Sequence, residues 1–260
     1  MKPRVLVLTG YGINCDYETE FAFQFAGAWA RRVHLNDIID SRVRLEDFQI
    51  LAIPGGFSFG DDIASGKVLA NKLKYNLALE LQRFIGDGKL IIGICNGFQA
   101  MVRLGLIPAF EGDYGAQVTT LTFNDSGRFE ARWVYLKVNQ DSSCIFTQGI
   151  ERIYLPVRNG EGKFIPRDES VCQRLWHNGH VVLQYVDAQG SLAHYPWNPG
   201  GSVDNIAGIC DETGRIFGLM PHPEAFIFRT NHPRWTRENL VQGEGLAVFR
   251  NAVQWVKDNF

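Results

Sequence analysis

A cysteine between two glycines is the first candidate for chemistry in this sequence. The apolar run 90–94 predicts a buried strand and the segment after Gly97 favours a helix, so Cys95 would lie on the turn between them. Such a turn presents a nucleophile at the carboxyl edge of a sheet, where the N–H groups of the following helix favour a thiolate. A small cysteine buried in the core is the alternative, and this stretch alone leaves both interpretations open.

A histidine and a glutamate near the end of the chain are the groups that a cysteine nucleophile needs. Pro221 and Pro223 flank His222 and restrict the backbone around it, which favours an extended segment. In an extended segment the side chains of His222 and Glu224 point to the same side. His222 could then take the proton of Cys95 while Glu224 orients the imidazole. Taken alone, these residues more often form only a turn.

A glycine-rich segment could complete such a site. Residues 55–62 read Gly-Gly-Phe-Ser-Phe-Gly-Asp-Asp and follow the apolar run 48–53. A glycine-rich loop at a strand end can turn a backbone N–H toward an oxyanion, and Gly56 is the candidate donor. The N–H of Asn96, directly after the cysteine, is a second candidate. A flexible connection is the alternative for a segment of this composition.

The weaker motifs predict no metal in the site. Residues 60–67 resemble a phosphate-binding loop, but the glycine spacing is one residue too long and Val68 replaces the hydroxyl that binds magnesium. Cys172, His177 and His180 could suggest zinc, but no fourth ligand follows at a spacing known from zinc sites. Asp61 and Asp62 could suggest magnesium, but carboxylates in a glycine-rich turn more often form hydrogen bonds or stay solvated.

Alternating strands and helices predict the fold that would position these residues. Strands are predicted at 5–9, 32–35, 48–53 and 90–94, with helices from Asp16, over 66–85 and from Phe98. This alternation predicts a parallel sheet with helices on both faces and a ligand site beyond the carboxyl ends of the strands.

The chain after Pro108 has a different pattern. Four β-rich segments predict antiparallel strands that are inserted on the first sheet or extend it: 118–124, 129–138, 153–157 and 180–186. A hairpin over 206–220 then leads to His222, and a final helix follows from Glu244. The predicted fold class is α/β, a mostly parallel central sheet flanked by helices with a β-rich antiparallel extension, in a single domain over residues 1–260.

Composition excludes several classes of partner. A net charge of −2 over 260 residues gives no electrostatic footprint for nucleic acid or an anionic membrane surface. No apolar run approaches the roughly 20 residues that span a bilayer. The five cysteines are odd in number and widely spaced, which predicts reduced thiols and a cytoplasmic location.

Three motifs in order resemble those of the class I glutamine amidotransferases: Pro54-Gly55-Gly56, the cysteine turn at 93–99, and Pro221-His222-Pro223-Glu224. Within that family, the flanking residues 12–16, 57–62 and 205–209 and the asparagine at position 96 are similar to those of the glutaminase subunits of phosphoribosylformylglycinamidine synthases. The likeness covers nearly the whole chain.

This resemblance implies a role for each residue of the site. Cys95 would attack the side-chain amide of glutamine, the N–H groups of Gly56 and Asn96 would hold the oxyanion, and His222 with Glu224 would protonate the departing ammonia. The residues expected to help bind glutamine are Phe57, Ser58 and Gln99.

The resemblance also implies partners. Ammonia would pass to a synthetase subunit that makes formylglycinamidine ribonucleotide from formylglycinamide ribonucleotide in purine biosynthesis, with a third small subunit as an open question. We expect no cofactor on this chain, and ATP and magnesium on the synthetase. A stand-alone γ-glutamyl or cysteine hydrolase and a non-catalytic activating subunit are the alternatives.

Two departures and one longer segment distinguish this chain from the family pattern. Family members often carry His-Gly-Glu-Gly where this chain has Arg158-Asn159-Gly160-Glu161-Gly162, and often have arginine at the position of Ala225. The segment 226–243 is longer than compact subunits need and is rich in arginine. It is interpreted either as a docking element for the synthetase or as a solvated loop.

Overall fold

The fold is built from eleven strands and seven α-helices. A computed structural model describes all residues, Met1–Phe260. The strands are β1 (Arg4–Thr9), β2 (Trp29–His34), β3 (Ile50–Ile53), β4 (Leu90–Ile94), β5 (Thr119–Thr122), β6 (Glu130–Val138), β7 (Arg152–Asn159), β8 (Lys163–Pro166), β9 (Val181–Val186), β10 (Ile206–Cys210) and β11 (Ile216–Leu219). The helices are α1 (Asp16–Phe25), α2 (Leu35–Ile39), α3 (Lys67–Asn76), α4 (Ala78–Gly86), α5 (Asn96–Leu104), α6 (Glu169–His177) and α7 (Leu246–Asn259).

The central sheet is parallel on one side and antiparallel on the other. Its nine strands lie in the order β2-β1-β3-β4-β11-β10-β9-β6-β7. Neighbours from β2 to β11 pair in parallel, and neighbours from β11 to β7 pair antiparallel. The predicted fold class is therefore confirmed. Strand β5 is an exception to the predicted extension, because it pairs with β8 in a separate two-stranded ribbon.

Burial explains why the middle strands are uniformly apolar. Every residue of β3 and β4 is buried, as expected for parallel strands covered on both faces. Strand β2 lies at the edge, where Ala30 and Val33 are buried between more exposed residues. The buried apolar side chains form one cluster that includes strands from both halves of the sheet.

Several elements differ from the sequence-based expectations. Strand β2 begins at Trp29 rather than at residue 32, because its buried positions are separated by charged residues that hide the strand pattern. The predicted helix over 66–85 is two helices, since the backbone of Leu77 leaves the helical region (φ −130°, ψ 18°). The elements α2, β8 and α6 were not predicted. Helix α6 begins with a recognisable cap, because the Asp168 carboxylate accepts the Val171 N–H at 3.0 Å.

Four neighbouring parallel strands deliver the segments that carry the candidate chemistry. Strands β1, β3, β4 and β11 are adjacent in the sheet, so their carboxyl ends meet at one edge. The segments that follow them begin at Gly10, Pro54, Cys95 and Met220. Residues far apart in sequence are brought together by this topology alone.

None of the seven helices combines the length and apolar character required to cross a membrane.

The packing of Gly97 against β3 gives a test of the fold. A Cβ at Gly97 would lie 1.8 Å from the Ile53 carbonyl oxygen, whereas a Cβ at Gly86 would meet no atom within 4 Å. We expect Gly97→Ala to lower the free energy of unfolding by about 2 kcal/mol or more, since β3 or α5 must shift. We expect Gly86→Ala to be neutral or stabilising by about 0.5–1 kcal/mol. Urea unfolding of both variants measures the difference, and equal stabilities would contradict this packing.

Candidate active site

The backbone at Cys95 is held in an unusual conformation. Its φ of 51° and ψ of −105° lie outside the regions that non-glycine residues commonly occupy. Two hydrogen bonds fix it: the Cys95 N–H donates to the Leu219 carbonyl at 2.8 Å, and its carbonyl accepts the Gln99 N–H at 3.0 Å. Strain of this kind costs on the order of 1–3 kcal/mol and concentrates at functional sites. The predicted strand-to-helix turn is present.

His222 and Glu224 form a buried pair. His222 Nδ1 lies 2.5 Å from Glu224 Oε1, and both side chains are almost completely inaccessible. The His222 backbone N–H donates to the Pro156 carbonyl at 2.8 Å, which fixes the segment to β7. With Nδ1 facing the carboxylate, Nε2 is left without a hydrogen-bond partner. A buried, unpartnered ring nitrogen is available to exchange a proton with a neighbouring thiol or substrate.

The pKa of His222 results from opposing effects. Burial alone would lower the pKa of this imidazole, but the charges of Glu224 and Cys95 and the neighbouring thiols of Cys15 and Cys95 hold it well above its ordinary value. The protonated ring is therefore stabilised where a proton donor would be needed.

The cysteine and the histidine meet in the space that Gly55 leaves open. A Cβ at Gly55 would lie 2.9 Å from His222 Cε1, 3.5 Å from Cys95 Cβ and 3.4 Å from Cys15 Sγ. The structure thus brings the predicted nucleophile, base and orienting carboxylate together. It also adds Cys15, which sequence reasoning noticed as part of a motif without giving it a role.

The glycine-rich loop lies against the cysteine turn. Gly56 has a φ of 147°, and a Cβ there would lie 2.6 Å from the Gly12 carbonyl oxygen, so this position requires glycine. The Gly56 N–H donates to no backbone carbonyl or side chain. The N–H of Asn96 opens helix α5, where no helical carbonyl precedes it. Both N–H groups are therefore available to a ligand, and their oxyanion role stays a prediction.

The side chain of Asn96 fastens that loop to the turn. Its Oδ1 accepts the Ser58 N–H at 3.1 Å, and its Nδ2 donates to Asp61 Oδ1 at 3.0 Å. Burial, together with the neighbouring charge of Glu161, raises the pKa of Asp61, while its hydrogen bonds act in the opposite direction. Asn96 thus shapes the site through its side chain as well as offering an N–H.

The three residues predicted to bind glutamine differ in their surroundings. Ser58 is buried and its hydroxyl has no partner, so it can bond to a ligand. The Phe57 ring is about half exposed and lies 6.4 Å from the ring of Phe129. The Gln99 amide is already engaged, accepting from Asn96 at 3.0 Å and donating to the Glu161 carbonyl at 2.7 Å. Glutamine binding by these residues stays a prediction.

Arg158, one of the residues that depart from the family pattern, contacts the site directly. Its Nη2 lies 3.3 Å from His222 Nδ1 and 3.7 Å from Glu224 Oε1, and its carbonyl accepts from Cys95 Sγ at 3.8 Å. Asn159, the next residue of the same departure, is buried, and its carbonyl accepts from Asn124 Nδ2 at 2.8 Å. The sequence marks Arg158 as a departure from the family pattern, but it gives no sign of the contact with His222 and Glu224.

The side chains of Cys15, His222 and Glu224 could also hold a metal ion, since their ligand atoms all lie within 4.8 Å of one another. Two of the zinc candidates considered from sequence have other partners. Cys172 Sγ donates to Asp204 at 3.3 Å, and His180 Nδ1 lies 2.9 Å from the Cys210 carbonyl oxygen.

Comparison with known proteins gives a consistent family. Residues 2–256 match the model of the CobB/CobQ-like glutamine amidotransferase domain. The chain is 50% identical over 258 residues to phosphoribosylformylglycinamidine synthase subunit PurQ of Dehalococcoides mccartyi, covering 98% of each chain. It is 46% identical to the subunit of the same name from Methanococcus maripaludis, covering 97% of each. A chain of the PurLQS structure from Thermotoga maritima superposes with a TM-score of 0.72 at 32% identity, over 98% of this chain and 100% of that one.

The His222–Glu224 pair predicts opposite effects of two substitutions. Glu224→Gln removes the negative charge, so we expect the pKa of His222 to fall. Arg158→Met removes the nearby positive charge, so we expect that pKa to rise further. NMR titration of ¹⁵N-labelled histidine measures both. Glu20→Gln is the matched control, since Glu20 pairs with Arg32 instead. An unchanged titration in Glu224→Gln would contradict the pairing.

The same pKa has a consequence for stability. The pKa of His222 is higher in the folded than in the unfolded state. Protonated His222 therefore contributes fully to the free energy of unfolding below the unfolded-state pKa, and this contribution is lost as pH rises through the folded-state pKa. The free energy of unfolding, measured by urea denaturation at several pH values, should therefore depend less on pH in Glu224→Gln than in the wild type.

Proposed function

The chain belongs to the family of CobB/CobQ-like glutamine amidotransferase domains, and we propose that it is the glutaminase subunit of a phosphoribosylformylglycinamidine synthase. Family membership confirms the resemblance drawn from the three sequence motifs. The proposal further assigns to the chain the subunit role carried by the names of its full-length relatives.

One observation carries the catalytic part of the proposal. Cys95, on a strained turn, lies beside the buried pair of His222 and Glu224, whose ring and carboxylate are 2.5 Å apart. A thiol, an imidazole and an orienting carboxylate in this order form the constellation of covalent acyl transfer. A merely structural cysteine would require neither the strained backbone nor the unpartnered Nε2.

Glutamine hydrolysis, in this proposal, proceeds through a covalent thioester. The Cys95 thiolate attacks the side-chain amide carbon of glutamine, with the N–H groups of Gly56 and Asn96 facing the developing oxyanion. Protonated His222 gives its proton to the leaving nitrogen, and ammonia departs from a γ-glutamyl thioester. Water then hydrolyses the thioester. Glu224 keeps the ring oriented and stabilises its charged form throughout.

Glutamine is held, in this proposal, by residues of the loop beside the turn. The unpartnered Ser58 hydroxyl is the donor best placed for a polar group of the substrate, and Phe57 provides an exposed ring at the same loop. The amide of Gln99 supports the pocket by fixing the Glu161 carbonyl at 2.7 Å.

The proposal extends to partners and location. The ammonia goes to a synthetase that binds ATP and magnesium and converts formylglycinamide ribonucleotide to the amidine, with a small third subunit in the assembly. The PurLQS relative supports this arrangement. This chain itself is proposed to bind no cofactor and no metal, to form a single domain over residues 1–260, and to act in the cytoplasm, where its five cysteines stay as free thiols.

We also propose that the exposed part of the segment 226–243 helps to dock the synthetase. The segment is anchored by His232, whose buried ring packs against Trp133 and Tyr154. Its arginines Arg229 and Arg237 are exposed and make no salt bridge. An anchored segment with free positive charges is suited to an acidic surface of a partner.

The central test removes the nucleophile. We expect Cys95→Ala to abolish glutamine-driven formation of the amidine by the reconstituted synthase, while formation from ammonium salts continues. Coupled assays with each nitrogen source measure this. Cys144→Ala is the control, because Cys144 is a buried core thiol outside the site, and it should keep both activities.

The alternatives predict other results in the same assays. A stand-alone hydrolase would release ammonia from glutamine at full rate without a synthetase. A non-catalytic activating subunit would leave glutamine-driven synthesis intact in Cys95→Ala, which would overturn the assignment of the nucleophile.

Charge reversal tests the docking segment without disturbing its anchor. We expect Arg229→Glu with Arg237→Glu to weaken binding to the synthetase about tenfold or more, since two like charges would face an acidic surface. Titration calorimetry or gel filtration measures the affinity. Lys74→Glu with Lys137→Glu, exposed positions on other elements, is the matched control. Equal affinities of the two double variants would rule the docking role out.

A further inference from the structure

Cys15 is a second thiol in the candidate active site that the glutaminase mechanism does not use. It is buried at the start of helix α1, immediately after the loop that follows β1. The position that a Cβ at Gly55 would occupy lies 3.4 Å from Cys15 Sγ and 3.5 Å from Cys95 Cβ. These two atoms therefore cannot be further apart than the sum of the two distances. Glycine at position 55 leaves no side chain between them.

Three further groups lie close to the Cys15 sulfur, and the first is Asn14 Oδ1, to which the thiol donates at 3.3 Å. Arg158 Nη2 donates to the sulfur at 3.9 Å, which places a fixed positive charge beside a group that would have to attack as a thiolate. His222, buried and with an unpartnered Nε2, also lies close, since one of its ring nitrogens is within 4.8 Å of the Cys15 sulfur, and it can accept the proton of that thiol. Cys15 is therefore equipped for thiol chemistry rather than only for packing.

We propose that Cys15 is a resolving thiol, which forms a disulfide with Cys95 when the nucleophile has been oxidised by a hydroperoxide. The proposal rests on the assignment of Cys95 as the nucleophile. The disulfide would stop glutamine hydrolysis reversibly and protect Cys95 from oxidation to the sulfinic acid, which thiols do not reverse.

The chemistry proceeds in two balanced steps. The Cys95 sulfur attacks hydrogen peroxide, so that a sulfur–oxygen bond forms and the oxygen–oxygen bond breaks; the thiol proton, held by His222, converts the leaving hydroxide to water. The Cys15 sulfur then attacks the Cys95 sulfenic acid, a sulfur–sulfur bond forms, and hydroxide leaves as water with the Cys15 proton. Two thiols are oxidised, and one peroxide is reduced to two water molecules.

Formation of the bond requires a rotation of the Cys95 side chain. Cys95 Sγ donates to the Arg158 carbonyl at 3.8 Å, and this contact is lost when the sulfur turns into the space beside Gly55 toward Cys15. Turning about the Cα–Cβ bond directs the sulfur into that space without moving the strained backbone.

A second pair of neighbouring thiols gives an internal control. Cys144 and Cys210 are buried in the core and interact with each other, and this interaction with burial raises the pKa of Cys210 well above its ordinary value. The Cys210 sulfur interacts with the Cys144 thiol and with the Ser142 hydroxyl at 3.5 Å, and neither of these is a base or a cation. Proximity alone would oxidise both pairs, whereas the proposed chemistry oxidises only Cys15 and Cys95.

The test uses the full chain and hydrogen peroxide. After treatment, free thiols are blocked with N-ethylmaleimide and the protein is digested with trypsin without reduction. The digest separates the cysteines, with Cys15 in residues 5–31, Cys95 in 90–103 and Cys144 in 138–152. Mass spectrometry should find the first two peptides joined, and dithiothreitol should separate them. In a parallel sample that is neither alkylated nor digested, dithiothreitol should restore the glutaminase activity of the oxidised protein.

The variant Cys15→Ser should lose the cross-link. Its Cys95 should instead be trapped by dimedone as the sulfenic acid, or advance to the sulfinic acid with activity that dithiothreitol does not restore. Oxidation of wild-type Cys95 without the cross-link would overturn the proposal, as would equal cross-linking of Cys144 to Cys210. The wild-type peptide map needs no variant to fold. Failure of the proposed function would appear separately, as glutamine-driven activity that survives in Cys95→Ala.

Discussion

The backbone conformation of Cys95 is the constraint on which the rest of the site depends. A residue with φ of 51° and ψ of −105° is stable only where its surroundings enforce it. Here the enforcement comes from both sides: β11 accepts the Cys95 N–H, and helix α5 begins on its carbonyl. Gly97 allows α5 to approach β3 so closely that no other side chain fits. The buried contacts of β3, β11 and α5 thus stabilise the unfavourable backbone conformation of Cys95.

The base depends on a different balance, between burial and charge. A histidine as inaccessible as His222 would be neutral without a partner, because burial disfavours the charged ring. The Glu224 carboxylate reverses that preference at 2.5 Å, and Arg158 limits how far it does so by lying 3.7 Å from the same oxygen. A protonated imidazole is therefore stabilised inside an apolar core, and one exposed arginine weakens that stabilisation.

Much of this arrangement could be predicted from sequence, and the exceptions have physical reasons. Two local signals are strong: the uniformly apolar β3 and β4, and the histidine flanked by prolines. They were enough to predict the parallel half of the sheet and the grouping of Cys95 with His222. Edge strand β2 was misplaced because its buried positions alternate with arginines. The roles of Arg158 and Cys15 could not be read, because their significance lies in contacts between elements more than 60 residues apart.

The antiparallel half of the sheet contributes contacts to the site. The nucleophile, the glycine-rich loop and the histidine all come from the carboxyl ends of parallel strands, a common position for ligand sites in such folds. Yet strand β7, from the opposite half, accepts the His222 N–H through Pro156 and places both the carbonyl and the guanidinium of Arg158 beside the triad. A parallel sheet alone would bring the reacting groups to one edge without fixing the distance between sulfur and imidazole. The hydrogen bond from the His222 N–H to Pro156 fixes the histidine segment to β7, so the β-rich extension helps to position the imidazole.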